Sequence, residues 1–502
     1  MKKRLQKSIS CLLLCALLTA SWPAAQAARF TDVPKGNWAA SAIERCVSLG
    51  FFQGESKTVF GVGRPMTRAA FVVALGRFFA WPSVTPPQGS FTDNQNKSTW
   101  YYSAVETAYA NDAITHQSAD FRPNDPLTRE ELAVMLVRAL GYGTIAGLAQ
   151  ELPLPFTDVT SSRGYISMAY ELGILSGTSK TTFSPNRPAT REQAAVVLMR
   201  VYDRTACKAP GKIGIAASPK GLTDLTGFSA VGIAAAKLNY NGKAVLAPAL
   251  PEKDAAALRS AASAAGAKAL LYVTGGPSVL KGAPAETAAL LAGAVASGGY
   301  DGLFLDLPRL PEAQKSALTD LTRALRTALE KKPLYLMAEA PVWQGTPYHG
   351  YDYAALSQQA DRLVLRVAPY EKIIDDFPAA PPEPPEELYY ALGELHGAVP
   401  GDKLSLLLTT TGSAWSGTQK TGSVSAAQLS ELAASPSAET YVSTRYACAY
   451  LTRGSGSSRM SLWFLDGDAA AQRIRLAGFF GVNQVCLSDL TSVSAAFSAG
   501  LQ

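Results

Sequence analysis

Two hydrophobic patterns divide the chain. From about residue 28 to 204, apolar positions recur at helical spacing in short blocks broken by turns, as in the run from Leu132 to Leu140. From 212 onward they gather into short continuous runs: 212–217, 231–235, 244–247, 269–274, 302–307, 334–338, 363–367, 404–409 and 484–487. Ala-rich helical stretches such as 254–265, 286–297 and 311–329 lie between them. Apolar strands alternating with helices over this length predict a parallel α/β sheet. The strand count favours a (β/α)8 TIM-barrel-like domain over a doubly wound sheet. The Pro-rich segment 378–387 reads as a stiff, exposed insertion.

The first half repeats itself. Phe30-Thr31-Asp32, Phe91-Thr92-Asp93 and Phe156-Thr157-Asp158 recur at intervals of 61 and 65 residues. Each is followed by a second signature, Thr67-Arg68-Ala69-Ala70, Thr128-Arg129-Glu130-Glu131 or Thr190-Arg191-Glu192-Gln193. Each unit predicts helix, turn, helix. Thr followed three residues later by Glu or Gln is a capping box, which covers the second and third copies and leaves Ala70 with half of one. The arginine is unexplained by capping, because a cation in the first helical turn opposes the helix dipole. An anion held at the helix start would remove that penalty. Pairing with Asp32, Asp93 or Asp158 would do so as well.

Only 17% of the 502 residues are charged, against roughly 25% in an average globular protein. The chain starts with a cationic stretch, an apolar run from Ile9 to Ala20 and Ala25-Gln26-Ala27, so 1–27 reads as a cleaved secretory signal with no membrane span left after cleavage. Loss of Lys2, Lys3, Arg4 and Lys7 takes the net charge from +6 to +2, too little for a nucleic-acid partner. The remaining Cys46, Cys207, Cys448 and Cys486, and His116, His349 and His396, have no metal-ligand spacing. No metal and no cofactor is expected. Nucleotide-binding and α/β-hydrolase motifs are missing from the sequence.

The paired signatures, with Trp38 and Trp100 between them, resemble the S-layer homology family. The resemblance divides the chain into repeats at 28–85, 86–150 and 151–204, a linker at 205–211 and a second domain at 212–502. It implies a pseudo-trimeric helical prong whose grooves bind secondary cell-wall polysaccharide or peptidoglycan. Arg68, Arg129 and Arg191 would be the anion contacts, and Trp38 and Trp100 the aromatic ones. It also implies a secreted protein held at the cell wall. Two departures stand out: the third repeat lacks the tryptophan, and the second has His116 where a turn glycine is usual.

In the second half, Asp301-Gly302-Leu303-Phe304-Leu305-Asp306-Leu307-Pro308 resembles the family-18 glycoside hydrolase motif at the fourth barrel strand. Tyr351 to Leu356, Trp415 and Leu462 to Asp466 fall in the matching order. Family-18 chemistry uses a glutamate at the motif's end as general acid and the aspartate two residues earlier to orient the N-acetyl group. Here Pro308 replaces that glutamate and Phe304 the middle acid, while Arg366, Ala368 and Pro369 replace the strand-six Met-x-Tyr-Asp. Proline carries no acidic proton, and losing general acid catalysis costs about 10²–10⁴-fold.

The leading expectation is thus an anchored surface protein displaying a non-catalytic glycosidase-like barrel. A glycan would be held there by Asp301, Asp306, Trp343, Tyr370 and Trp415. The alternative is an active wall-remodelling N-acetylglucosaminidase or chitinase with a displaced acid, Asp306 and Glu339 being the candidates. A purely structural surface-layer subunit, with a closed barrel mouth, is the third.

Overall fold

The computed structural model describes residues 30–151, 154–205, 210–343, 348–368, 382–443, 446–454 and 459–501. The expected signal at 1–27, most of the linker, and Tyr370 lie outside the described residues. Two compact units divide between residues 206 and 207.

The first unit is three helical hairpins. Its helices are α1 (Ala40–Ser48), α2 (Arg68–Phe78), α3 (Tyr102–Ala110), α4 (Arg129–Ala139), α5 (Gly143–Leu148), α6 (Arg163–Glu171) and α7 (Arg191–Thr205). Helices α2, α4 and α7 each start directly after the threonine of the second signature. The repeats close into a ring, with α2 against α3, α4 against α6, and α7 back against α1. The residue immediately before each signature threonine links to its counterpart in the next repeat: Leu127 N donates to Met66 O, Ala189 N to Leu127 O and Met66 N to Ala189 O, at 2.7–2.8 Å. The aspartates of the first signature do not meet the arginines. Asp32 accepts from the N–H groups of Phe60, Gly61 and Val62, Asp93 from Phe121 and Arg122, and Asp158 from Phe183 and Ser184. Each aspartate thereby fixes the loop ahead of the second helix, a structural role.

The turn glycines have a steric reason. A Cβ on Gly54 or Gly177 would lie 2.5 or 2.4 Å from a ring carbon of Phe30 or Phe156. In the second repeat the His116 ring instead packs between Phe91 and Tyr109, with centroids 4.7 and 4.8 Å away. The departure there is a local repacking.

The second unit is a closed barrel of eight parallel strands. In order around it stand β1 (Gly211–Ala216), β2 (Phe228–Tyr240), β4 (Lys268–Gly275), β5 (Gly302–Asp306), β6 (Leu334–Glu339), β7 (Arg362–Arg366), β8 (Leu404–Leu408) and β14 (Gln484–Leu487), and β14 pairs with β1 to close the ring. Helices α8 (Glu252–Ala264), α9 (Pro284–Ser297), α10 (Lys315–Leu329), α11 (Tyr353–Gln359), α12 (Pro385–Leu395), α14 (Gly467–Phe479) and α15 (Ala495–Ala499) accompany them. Side chains from all eight strands fill the interior, including Ile213, Ala230, Tyr272, Phe304, Met337, Val364, Leu407 and Cys486. Phe304, standing where the middle acid is expected, lies edge-on to Tyr272 with centroids 5.1 Å apart. Gly232 makes room for it: a Cβ there would sit 2.9 Å from the ring.

Three expectations need correction. The run 244–247 is not a barrel strand: β3 (Ala244–Pro248) pairs antiparallel with the long β2. Between β8 and β14 the chain forms a five-stranded antiparallel sheet that the hydrophobic runs did not reveal. It comprises β9 (Gly412–Ser416), β10 (Gln419–Val424), β11 (Ala438–Ser443), β12 (Cys448–Arg453) and β13 (Met460–Phe464), with Leu429 and Leu432 of α13 (Ala426–Ala433) packed on it. And the Pro-rich segment is not a solvated insertion where it is described: residues 382–389 are buried, with Pro385 opening α12. Among the described residues no helix is long and apolar enough to cross a membrane.

Candidate functional site

In the repeat unit, the three arginines occupy equivalent seats at repeat junctions. Nε of Arg68, Arg129 and Arg191 donates to the carbonyl of Phe121, Phe183 and Phe60 respectively, each in the next repeat around the ring, at 2.7–2.9 Å. Each guanidinium also lies 4.6–5.1 Å over the ring of that same phenylalanine. Burial pulls all three guanidinium pKa values down. Half of the arginine is therefore architectural, tying one repeat to the next.

Their remaining nitrogens meet different groups. Nη1 of Arg68 pairs with Glu131, which also takes Arg122 at 2.7 Å. Arg191 has Glu55 at 3.9 Å and donates to the Gln53 carbonyl. Arg129 donates to the Ser176 carbonyl at 2.6 Å, and among the described residues no carboxylate pairs with it. Trp38 and Trp100 stand out at the surface, 64% and 66% exposed. That is the exposure an aromatic platform for a sugar face needs.

At the barrel mouth, the C-terminal strand ends carry an ion-paired cluster. Asp306 ends β5, Glu339 ends β6 and Arg366 ends β7. Nη1 of Arg366 lies 3.1 Å from both Asp306 Oδ1 and Glu339 Oε1, and its Nη2 binds Asp306 Oδ2. The Tyr272 hydroxyl donates to Asp306 Oδ2 at 2.6 Å. The two carboxylates are only 4% and 3% exposed. Burial raises the Glu339 pKa and Arg366 opposes the rise. Burial alone would weaken the Arg366 cation, but Asp306 and then Glu339 hold its proton more firmly than usual. Tyr351 and Tyr353 close over the strand ends, donating to the Leu307 and Glu339 carbonyls at 2.8 Å.

A second buried group adjoins the mouth. Glu383 Oε1 accepts from both Thr409 N and Thr409 Oγ1, while among the described residues its Oε2 has no partner. Burial pushes this carboxyl up to about 7. Arg473, itself buried, donates to the Glu383 carbonyl through Nε and Nη2 at 3.0 and 2.8 Å. Glu387 Oε2 accepts from Trp343 N at 2.6 Å.

The expected barrel residues are thus dispersed. Asp306 and Glu339 come together, and half-buried Trp343 follows β6. Asp301 does not join them. It precedes β5, at the opposite end of the barrel, where its carboxylate accepts from Ala269 N at 2.7 Å. There it borders a cleft of about 430 Å³ lined by Lys268, Glu330, Lys331 and Lys332. Trp415 is not an open stacking surface either: it lies in β9 of the inserted sheet, 1% exposed. Sequence reasoning treated Arg366 only as a missing methionine; a lone cation ending the apolar run Leu363 to Leu365 was the available signal. Among the described residues no group of side chains is arranged to hold a metal ion.

Residues 29–72, 90–133 and 155–195 match the family model described as S-layer homology domain. The first unit is three S-layer homology repeats. Such repeats mark a secreted protein anchored at the cell wall. An endoglucanase of Bacillus sp. (strain KSM-635) is 29% identical over 242 residues, covering 42% of this chain and 25% of that protein. The Surface-layer 125 kDa protein of Lysinibacillus sphaericus is 28% identical over 191 residues, 36% of this chain and 16% of that one. The chain thus spans a quarter or less of these relatives. For the barrel, a chitinase structure from Chromobacterium violaceum superposes with a TM-score of 0.52 at 18% identity, covering 58% of this chain and 98% of that one. A class V chitinase from Pseudomonas fluorescens gives 0.51 at 17%, covering 59% and 100%. At this identity the likeness establishes the fold, a chitinase-like TIM barrel.

Proposed function

We propose that the S-layer homology repeats hold the protein to an acidic cell-wall polysaccharide and that the barrel they display does not hydrolyse glycosides. The observation that carries the second half is Arg366. Glycosidases need a carboxyl that keeps a proton for the leaving oxygen and a second, freely ionised one. Here the two carboxylates at the mouth share one guanidinium, which engages an oxygen of each and, at Glu339, works against the rise that burial causes. The residue at the motif's acid position is Pro308, which has nothing to donate. What the barrel keeps for glycans is Trp343 beside the mouth.

The competing reading is an active hydrolase with Glu339 as the displaced acid, and it draws on the raised pKa of that group. One experiment separates them. The secreted full chain is incubated with chito-oligosaccharides and with purified peptidoglycan, and release of reducing ends is measured. No turnover above background is expected. Turnover that disappears in Asp306→Asn or Glu339→Gln overturns the proposal.

A further inference from the structure

The cleft at the base of the barrel has no part in either reading of the mouth. It encloses about 430 Å³ and is lined from α9 and α10, at the end where β4, β5 and β6 begin. Its apolar lining is small: Ala292 and Ala296 come from α9 and Ala328 from α10. Longer side chains at these positions would fill the space. Its charged lining is Lys268, Asp301, Glu330, Lys331 and Lys332, all exposed. Among the described residues none of the five makes an ion pair. One oxygen of Asp301 accepts from Ala269 N, and Lys332 Nζ donates to the Tyr300 carbonyl at 3.0 Å. The ammonium groups of Lys268 and Lys331 have no acceptor among the described residues.

The turn that carries three of these charges is strained and clamped. Glu330 follows the last residue of α10 with φ +52° and ψ −112°, a positive-φ position where a helix end ordinarily places glycine. Arg326 holds the turn from within α10. Its Nη2 donates to the Glu330 carbonyl and, at 2.6 Å, to that of Lys332, while Nη1 donates to Asp361 at 3.0 Å. A carboxylate therefore stands where glycine fits more easily, next to two lysines on a fixed backbone. The kind of cation is also distinctive. Where the fold pairs a carboxylate it uses arginine: Arg45 with Asp203, Arg68 with Glu131, Arg259 with Glu252 and Arg366 with Asp306. Among the described residues a lysine does so once, Lys315 with Glu312 at 3.7 Å. The cleft presents lysines alone.

We propose that this cleft binds a polyol or sugar phosphate, with the phosphate on Lys268, Lys331 and Lys332 and the neighbouring hydroxyls on the carboxylates of Glu330 and Asp301. Ammonium groups are point charges that can surround a tetrahedral oxyanion, without the planar match that arginine offers a carboxylate. Three cations against two acids leave the cleft positive. The acids in turn supply acceptors, which a bare phosphate does not need and a hydroxylated one does. The volume lies within the roughly 300–1,000 Å³ of small-molecule sites. A free phosphate ester and one unit of a phosphodiester polymer carry this same chemistry. The site lies at the opposite end of the barrel from Arg366 and is independent of the anchoring and non-hydrolytic readings.

The test is amine-acylation footprinting of the full chain, read lysine by lysine by mass spectrometry. The probes are glycerol 3-phosphate, a glycerol-phosphate oligomer, inorganic phosphate and polygalacturonate. At about four times the dissociation constant, occupancy near 80% should lower labelling of Lys268, Lys331 and Lys332 about fivefold. Exposed Lys243, Lys253 and Lys281 should label as before. Lys331→Glu reverses one charge, and Ala328→Leu fills the space with every charge kept; either should abolish protection at Lys268 and Lys332. Both positions are exposed, and unchanged circular dichroism and melting exclude loss through unfolding. Protection by the oligomer at lower unit concentration than by the monomer assigns the site to a polymer, and equal potency assigns it to a free ester. No protection by either glycerol phosphate, or equal protection at the three control lysines, overturns the site. Protection that survives both variants overturns its location. Protection by polygalacturonate at equal charge concentration overturns the phosphate, and equal protection by inorganic phosphate overturns the hydroxyl contacts.

Discussion

Arg366→Met tests the ion-paired cluster most directly. Methionine keeps an apolar stem of similar length and removes the cation. Asp306 Oδ1 and Glu339 Oε1 each lose a donor at 3.1 Å, and among the described residues Tyr272 is the donor that remains on Asp306. Two carboxyls, 4% and 3% exposed, then stand side by side with no paired cation among the described residues. Breaking a buried pair by removing one partner costs about 3–5 kcal/mol. The variant reduces that cost by keeping a proton on the pair. An unfolded chain releases its carboxyl protons near pH 4, so from there toward neutrality the native variant binds more protons than the unfolded chain. Its stability therefore falls as pH rises through that window. In the parent the same sign holds for Glu339, whose pKa burial raises, but Arg366 limits the effect. Calorimetric melting of the full chain should show the barrel transition lowered by on the order of 10 °C at pH 7.5 and by much less at pH 4. Replacing all three groups by neutral ones, Asp306→Asn, Glu339→Gln and Arg366→Met together, should recover most of the loss. A single variant that melts like the parent at pH 7.5, or with an equal deficit at both pH values, refutes the reasoning.

Two further outcomes follow from the same structure. Glu383 is raised to about 7 by burial, so its carboxyl stabilises the fold when protonated and loses that contribution as pH climbs from about 4.5 to 7. Glu383→Gln should flatten this part of the stability–pH profile, a difference of roughly 3 kcal/mol across the window, measured by urea unfolding at pH 5 and 8; an unchanged slope counts against it. Gly177→Ala places a Cβ 2.4 Å from both the Phe156 ring and the Ser179 carbonyl. It should cost about 1–3 kcal/mol as an overpacking substitution, seen as an earlier melting of the repeat unit by circular dichroism; alanine tolerated at no cost would mean the turn adjusts freely.

Much of the architecture was legible because it is periodic. The Thr-Arg signature marks three helix starts, and α2, α4 and α7 begin there, since a threonine followed by free N–H groups is a local signal. Eight of the nine apolar runs became barrel strands for the related reason that a strand buried on both faces needs an unbroken apolar stretch. The inserted sheet escaped because its edge strands face solvent: β10 and β11 are largely exposed and alternate without an apolar run. Charge partners were harder to see than elements. Asp32, Asp93 and Asp158 lie close in the repeat pattern to the arginines, yet they serve backbone N–H groups, and the carboxylates that do meet arginines come from Glu131 and Glu55. Such pairings depend on the ring closure of the repeats, which places a residue of one copy against the arginine of another.

The barrel and the repeats use the same physical device, an arginine held by carboxylates of the fold. A carboxylate fixed by the fold beside an arginine competes with any incoming anion at an effective concentration in the millimolar range or above. Glu131 is rigidly placed by its capping box, with Oε2 accepting from Thr128 N at 2.9 Å, so a free carboxylate must displace a group that loses little entropy on binding. At Arg366 two internal carboxylates occupy the guanidinium together, Asp306 Oδ1 and Glu339 Oε1 each lying 3.1 Å from Nη1.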